Sequence, residues 1–379
     1  MGKSGLHIVV TVNAAWNIWN FRRDLMAALI ADGHRVTILA PSDEHVAKLQ
    51  EIGCEFRPLE MDRKGFNPLA EIALFRRFHS AFGELKPDVV LGYTIKNNIF
   101  GSLAARLRGI PFIPNVTGLG TAFLSSPMVA RIARTLYRAA FAKADTVFFQ
   151  NEDDAAMFVE QGMVRREQVQ VLPGSGINLD EFAPAPSPRA DDLPVVLMIA
   201  RLLRDKGVME FVEAAPIVRE RHPNAILRLV GAAGSDNRTS LSLEDIHALE
   251  ASHGVHYAGP TDDVRGAIAE ATMVVLPSYR EGAPRTLIEA AAMARPLVAT
   301  DVPGCRAVVD DGGTGFLCDV RNSASLADAI IRMLDLPASE REAIGAAGRA
   351  KMEREYSVAI IAAHYREAIA RATGKSAHA

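Results

Sequence analysis

The sequence predicts an α/β protein built from two doubly wound, Rossmann-like domains. Three observations carry that expectation. At 379 residues the chain is too long for one ordinary core. Short apolar, strand-like runs alternate with helical patterns, as parallel sheets require. The alternation then restarts after a proline-rich stretch, EFAPAPSPRADDLP, at 181–194.

The elements follow in order. LHIVVTV is a strand, Phe21 to Ala31 is helical in pattern, Gly33 is a stop, and RVTILAP is a second strand. PDVVLGY (87–93), IPFIPNV (110–116) and DTVFFQN (145–151) continue the first half. After the break come PVVLMIA (194–200), AILRLVG (225–231), ATMVVLPS (271–278) and RPLVATD (295–301). SVAIIAAHYREAIARAT, from Ser357 to Thr373, is one more amphipathic helix. The expected partition is a first domain over 1–183, a linker at 184–193, a second domain over 194–355 and a terminal helical segment at 356–379. Ligands of open parallel sheets sit beyond the carboxyl ends of the strands, so two such domains facing across a cleft would put the informative residues there.

Composition excludes several classes. With 49% hydrophobic and 23% charged residues the chain reads as a soluble globular protein. A net charge of −3 gives no global attraction to nucleic acid. Cys54, Cys305 and Cys318 are scattered and odd in number, which argues against a disulfide frame and a zinc site. No signal peptide and no run of 18 apolar residues is present, so a cytoplasmic location is expected.

Three constellations fall at strand ends. In MVVLPSYREGAPRTLIEAAAMA, Glu281 lies in a Gly/Pro loop, Pro284 suits the first turn of a helix, and Glu289 stands among alanines. A helix start there offers backbone N–H groups to an anion. A nucleotide diphosphate-sugar would fit, with hexose hydroxyls near Glu281, phosphates at the helix end and ribose hydroxyls at Glu289. A solvated loop charge and a partly exposed helix residue remain the alternative. Arg201, directly after a strand, and Lys206, five residues on, suit a diphosphate as fork and point charge; two exposed basic residues are the plainer reading. In TVNAAWNIWNFRRDL no GxGxxG occurs, so a nicotinamide or flavin fingerprint is absent. Ala14 and Ala15 permit close backbone approach, and Asn13, Asn17, Asn20 and Arg22 supply polar groups around Trp16 and Trp19.

Taken together, Glu281–x7–Glu289, the preceding LPSYREG, the Arg201/Lys206 pair and VPGCRAVVDDGGTGFL resemble the retaining family 4 glycosyltransferases of the GT-B fold. VTGLGTAF (116–123), FFQNEDD (148–154) and LPGSGINLDEF (172–182) are similar to the branch that extends lipid-diphosphate-linked or lipopolysaccharide sugars. The resemblance implies that Glu281 stands beside the donor sugar, Glu289 holds the ribose, and Arg201 and Lys206 clamp the diphosphate. It makes Gly282, Ala283, Pro284, Arg285, Thr286 and Leu287 the loop whose backbone holds sugar and phosphates. Asn13 and Ala14 become donor contacts, and Asn20, Arg22, Thr117 and Gly118 acceptor contacts. The chain departs from the family in having Ala14-Ala15 for a glycine pair and Thr117-Gly118-Leu119-Gly120 where many members place a histidine.

The expected reaction is retaining transfer of a hexose or N-acetylhexosamine from a UDP-sugar to a lipid-linked or polysaccharide acceptor. No D-x-D triplet occurs, so no metal and no other cofactor is expected. Between Asp88 and Asp145 no acidic residue occurs, while Lys96, Arg106, Arg108, Arg131, Arg134, Arg138 and Lys143 do. Within it, residues 128–143 read as a basic amphipathic helix suited to peripheral attachment at an anionic inner-leaflet surface. A core helix with a solvated basic edge is the competing reading. Two rival functions stand beside the transferase, a hydrolysing UDP-N-acetylglucosamine 2-epimerase and an inactive scaffold of a polysaccharide-assembly complex.

Overall fold

The computed structural model describes residues 5–62, 67–118, 127–186, 188, 192–235, 237 and 239–374. The chain divides into two compact units, one formed by Met1–Gly176 with Val358–Ala379 and the other by Ile177–Ser357.

The first unit runs β1 His7–Thr11, α1 Ala15–Ala31, β2 Arg35–Ala40, α2 Val46–Glu51, β3 Glu55–Pro58, α3 Pro68–Leu85 and β4 Val89–Tyr93. A π-helical turn at Asn97–Gly101 leads into α4 Ser102–Leu107, followed by β5 Phe112–Val116, α5 Pro127–Phe141, β6 Val147–Phe149, α6 Glu152–Glu160 and β7 Val169–Val171. Local chemistry sets several of these boundaries. The Asn67 side chain accepts a hydrogen bond from the Leu69 N–H and Pro68 opens α3, while Asn151 caps α6 through the Asp154 N–H. Among the described residues the strands form one parallel sheet of order β3-β2-β1-β4-β5-β6-β7. The order reverses between β1 and β4, which are directly paired.

The second unit runs β8 Val195–Ile199, α7 Val208–Arg221, β9 Ile226–Val230, α8 Leu243–His253, β10 His256–Tyr257, α9 Arg265–Glu270 and β11 Met273–Leu276. It continues through α10 Arg285–Ala292, β12 Leu297–Thr300, α11 Pro303–Val308, β13 Gly315–Cys318, α12 Ser323–Asp335 and α13 Ala338–Lys351. Its described strands form a parallel sheet of order β10-β9-β8-β11-β12-β13, reversing between β8 and β11. Two doubly wound α/β domains are therefore present, as the alternating pattern predicts.

The last helix, α14 Val358–Thr373, belongs to the first unit. Ile361, Tyr365 and Ile369 are buried in the same core as Val10, Leu29 and Leu91. Each such side chain contributes about 1.5–3 kcal/mol by leaving water.

The domain boundary differs from the expected one. The sequence pattern places residues 177–183 in the first domain and 184–193 in a linker, yet Ile177 and Phe182 are buried among Val195, Leu197 and Leu287 of the second unit. The guanidinium of Arg295 donates to the carbonyls of Ala185 and Pro186, at 3.3 and 2.6 Å, fixing the proline-rich stretch to that unit. Proline content signals a chain that forms no helix or sheet. It does not signal one free of its neighbours.

Candidate active site

The reversal point of the second sheet gathers the sequence-predicted residues. Strand β8 ends at Ile199, and Arg201 follows it, exposed and without a side-chain partner among the described residues. A short turn, Arg204–Lys206, brings the chain to Gly207. Gly207 has φ +76°, and a Cβ there would lie 2.0 Å from the Pro277 carbonyl oxygen. Only glycine lets this turn close against the end of β11.

The contact so permitted is the centre of the site. Lys206 Nζ donates to Glu281 Oε1 at 2.5 Å, and the Ser278 hydroxyl donates to the same oxygen at 2.6 Å. Sequence reasoning gave Lys206 to a diphosphate clamp and Glu281 to the sugar; the structure pairs them. Glu281 is thus no solvated loop charge, since its side chain is mostly buried. Ser278 was not anticipated, and its only signal is a hydroxyl three residues before the glutamate.

The loop carrying Glu281 is pinned along its length. The Thr300 hydroxyl donates to the Ser278 carbonyl at 2.5 Å, the Tyr279 N–H to the Asp205 carbonyl at 2.9 Å, and the Tyr279 hydroxyl to Glu210 at 2.7 Å. Burial, with the Glu210 carboxylate next, pushes the Tyr279 phenol up to about 12. Gly304 of α11 packs so closely that a Cβ would stand 2.6 Å from the carbonyl oxygens of Glu281 and Gly282. Cys305 is buried beside it, and burial, then the Glu281 charge, raises its thiol. That cysteine is an inert packing group.

Helix α10 begins one residue later than expected, with Pro284 as its N-cap in extended backbone. Glu281 therefore lies wholly outside the helix that carries Glu289. The Thr286 hydroxyl donates to the Ile199 carbonyl at 3.1 Å, tying the first turn of α10 to β8. Leu287 is buried in the core, and Gly282 and Ala283 lie in the loop ahead of the cap. Glu289 is 8% exposed and accepts from Arg285 Nε at 2.7 Å. A partly exposed helix carboxylate is excluded, and Arg285 holds the glutamate in place.

In the first unit, Asn13 and Ala14 follow β1. Ala14 caps α1 with φ −165° and no side-chain bond, so no side chain of the cap covers that helix end. Asn20 Nδ2 donates to the Trp16 carbonyl at 2.9 Å. Arg22 departs from expectation. It is 5% exposed, its guanidinium sits 4.0 Å from the Tyr93 ring centroid, and it donates to Asn17. Its contacts run inward, to strand and helix, so it packs within the unit rather than standing on its surface. Thr117 and Gly118 follow β5 and are half-buried; Leu119, Gly120 and the residues up to 126 lie outside the described residues.

A sheet reversal, a carboxylate-lysine pair at its carboxyl edge and a second carboxylate on the following helix lie where an open α/β sheet receives its ligands. Comparison supplies the family. Residues 180–351 match the family model of glycosyl transferases group 1, and residues 18–174 match that of the glycosyl transferase 4-like domain. The chain belongs to this glycosyltransferase family. It is 30% identical over 339 residues to the N,N'-diacetylbacillosaminyl-diphospho-undecaprenol alpha-1,3-N-acetylgalactosaminyltransferase of Campylobacter jejuni, covering 85% of this chain and 88% of that one. It is 26% identical over 268 residues to the UDP-Gal:alpha-D-GlcNAc-diphosphoundecaprenol alpha-1,3-galactosyltransferase of Escherichia coli, covering 66% and 67%. Among solved structures, Anabaena HepE in complex with UDP and glucose superposes with a TM-score of 0.80 at 19% identity, over 97% of this chain and all of that one. A Rickettsia africae glycosyltransferase gives 0.80 at 18%, over 99% of this chain. These last two establish the shared fold.

Proposed function

We propose that the chain transfers a hexose or N-acetylhexosamine from a UDP-sugar to a lipid-diphosphate-linked sugar, with retention of configuration and without a metal ion. The names of the Campylobacter and Escherichia relatives support the acceptor class, and the UDP and glucose bound to HepE support the donor. The observation that carries the reading is the Lys206–Glu281–Ser278 cluster at the β8/β11 reversal. Membership of a transferase family favours this over the epimerase and scaffold alternatives.

The cluster suggests a division of labour. Two donors saturate Glu281 Oε1, which orients the carboxylate and leaves Oε2 for a donor-sugar hydroxyl. An ammonium and a hydroxyl on one oxygen make a weak nucleophile, so a covalent glycosyl-enzyme is disfavoured. Front-face attack, with the departing phosphate taking the acceptor's proton, fits better. Arg201 and Lys206 would stabilise charge developing on that phosphate.

The test is Glu281→Ala with a UDP-sugar and a lipid-diphosphate-linked acceptor. Turnover should fall by about 100-fold or more while UDP affinity stays within a few-fold. Wild-type-like turnover would remove Glu281 from the reaction. EDTA should leave the parent rate unchanged, and a rate restored only by Mg²⁺ or Mn²⁺ would refute the metal-free clamp.

A further inference from the structure

We propose that Lys96, held by the buried carboxylate of Glu71, is a binding site in the first unit for the phosphate groups of the acceptor. The inference rests on the reading of a lipid-diphosphate-linked acceptor. Lys96 lies just after β4, at the carboxyl edge of the sheet and at its β1/β4 reversal, where an open α/β sheet receives ligands. Its Nζ stands 2.6 Å from Glu71 Oε1, on the first turn of α3.

The pair is asymmetric in a telling way. The Glu71 side chain is 5% exposed and the Lys96 side chain 20%. Both carboxylate oxygens of Glu71 are sealed from solvent and neither has a hydrogen-bond partner, so Lys96 meets Oε1 as a charge rather than as a hydrogen-bond donor. A buried ion pair contributes little net stability compared with apolar groups of similar volume. An arrangement that buries the anion more deeply than the cation leaves a partly exposed lysine whose ammonium has N–H donors to spare. That suits a phosphate, for which lysine acts as a point charge.

The loop around Lys96 is over-determined. Thr94 has φ +68°, a left-handed conformation that costs a β-branched residue about 1–3 kcal/mol. Asn97 is buried, accepts from the Thr11 hydroxyl at 2.5 Å and donates to the Thr94 hydroxyl at 2.8 Å. Asn98 donates to the Asn115 carbonyl at 2.8 Å, and a Cβ on Gly92 would come within 2.7 Å of its Oδ1. Strain, a π-turn and two anchors, to β1 and to β5, all serve to aim one short segment. Lys96 is its one charged residue.

The experiment measures binding of inorganic pyrophosphate and of geranyl diphosphate by calorimetry, with the second unit saturated by UDP. The parent protein should bind, and Lys96→Met should lose affinity by roughly 10- to 100-fold. Because Lys96→Met strands a buried carboxylate, the double variant Glu71→Leu/Lys96→Met is measured too. It should keep its thermal midpoint and still fail to bind. Tighter binding of geranyl diphosphate than pyrophosphate assigns the site to a lipid-borne group; equal binding assigns it to the diphosphate alone. If neither probe binds the parent, or the double variant binds like the parent, Lys96 is a structural cation and the proposal is overturned. These readouts need no turnover, so failure of the transfer reaction itself would be seen separately.

Discussion

At the scale of the residue, the informative contact is an oxygen atom with two donors. Lys206 and Ser278 both bind Glu281 Oε1, and they come from different strand ends. A carboxylate held this way keeps one rotamer. Loss of Ser278 frees it without removing any charge. Ser278→Ala should therefore lower kcat about tenfold, with KM for the UDP-sugar within about twofold. A large rise in KM with kcat intact would place Ser278 in substrate binding instead. Arg22 makes the opposite lesson. Its type and place in the stretch after the first strand suggest a ligand contact, but it lies within α1, where the Tyr93 ring and Asn17 meet its guanidinium. Residue type alone could not separate the two cases, because both side chains are polar residues near a strand end.

At the scale of the element, α5 carries the membrane question. Ala133, Tyr137, Ala140 and Phe141 are buried, while Arg131 and Ile132 are exposed, Ile132 at 41%. Arg138 donates to the carbonyls of Gly162 and Gln161 at 2.8 and 3.1 Å, closing the end of α6. That arginine stabilises the unit, so the surface is tested through Arg131, which is exposed, and Arg134, which is half-buried and donates to the Ala130 carbonyl of its own helix. Arg131→Glu/Arg134→Glu should reduce co-sedimentation with phosphatidylserine vesicles by several-fold and leave neutral vesicles unaffected. Equal sedimentation of parent and variant would end the membrane role of this face. Among the described residues no helix is long and apolar enough to cross a membrane.

The amino end of the first sheet adds a pH dependence. His34 Nδ1 accepts from the Leu6 N–H at 3.2 Å, and burial, aided by Arg366, lowers its pKa from 6.5. Burial and then Arg35 lower His7 as well. A depressed folded-state pKa means that the unfolded chain takes the proton first. Stability is full above the unfolded value of 6.5 and is lost as pH falls through the folded one. The urea midpoint should drop between about pH 7.5 and about pH 5.5, and His34→Gln should narrow that drop. An unchanged drop in the variant would show that other groups set the slope.

At the scale of the whole molecule, the chain forms two units with separate cores. α14 begins just after Ser357, the last residue of the second unit, and buries its apolar stripe in the core of the first. Its Tyr365 hydroxyl accepts from Tyr93 and Asn115, both at 2.8 Å, so the helix is fixed by direction as well as by area. If the second unit alone holds the nucleotide, UDP at 100 times its Kd should stabilise that unit by about 2.7 kcal/mol. In thermal unfolding one transition should move and the other should stay; a shift of both would show that the nucleotide is shared. The same measurement over a panel of UDP-sugars would identify the hexose.

What the sequence could and could not reveal follows from burial. The strands read directly from apolar runs, such as LHIVVTV, PDVVLGY and PVVLMIA, became β1, β4 and β8, each buried along its whole length. The strands not read were β3, β7, β10 and β13, which are the four edges of the two sheets. EFRP, VQV and HY are short and exposed or half-exposed, so hydrophobicity leaves little mark on them, whereas GFLC of β13 is mostly buried but only four residues long. By itself, then, the sequence determined the paired α/β pattern, its restart and the family, because periodicity and short motifs are local properties. Only the tertiary structure decided that Lys206 and Glu281, 75 residues apart, meet on one oxygen, and that residues 177–186 pack with the second core. Such contacts depend on which strand ends the folded sheet brings side by side, and no local pattern encodes that.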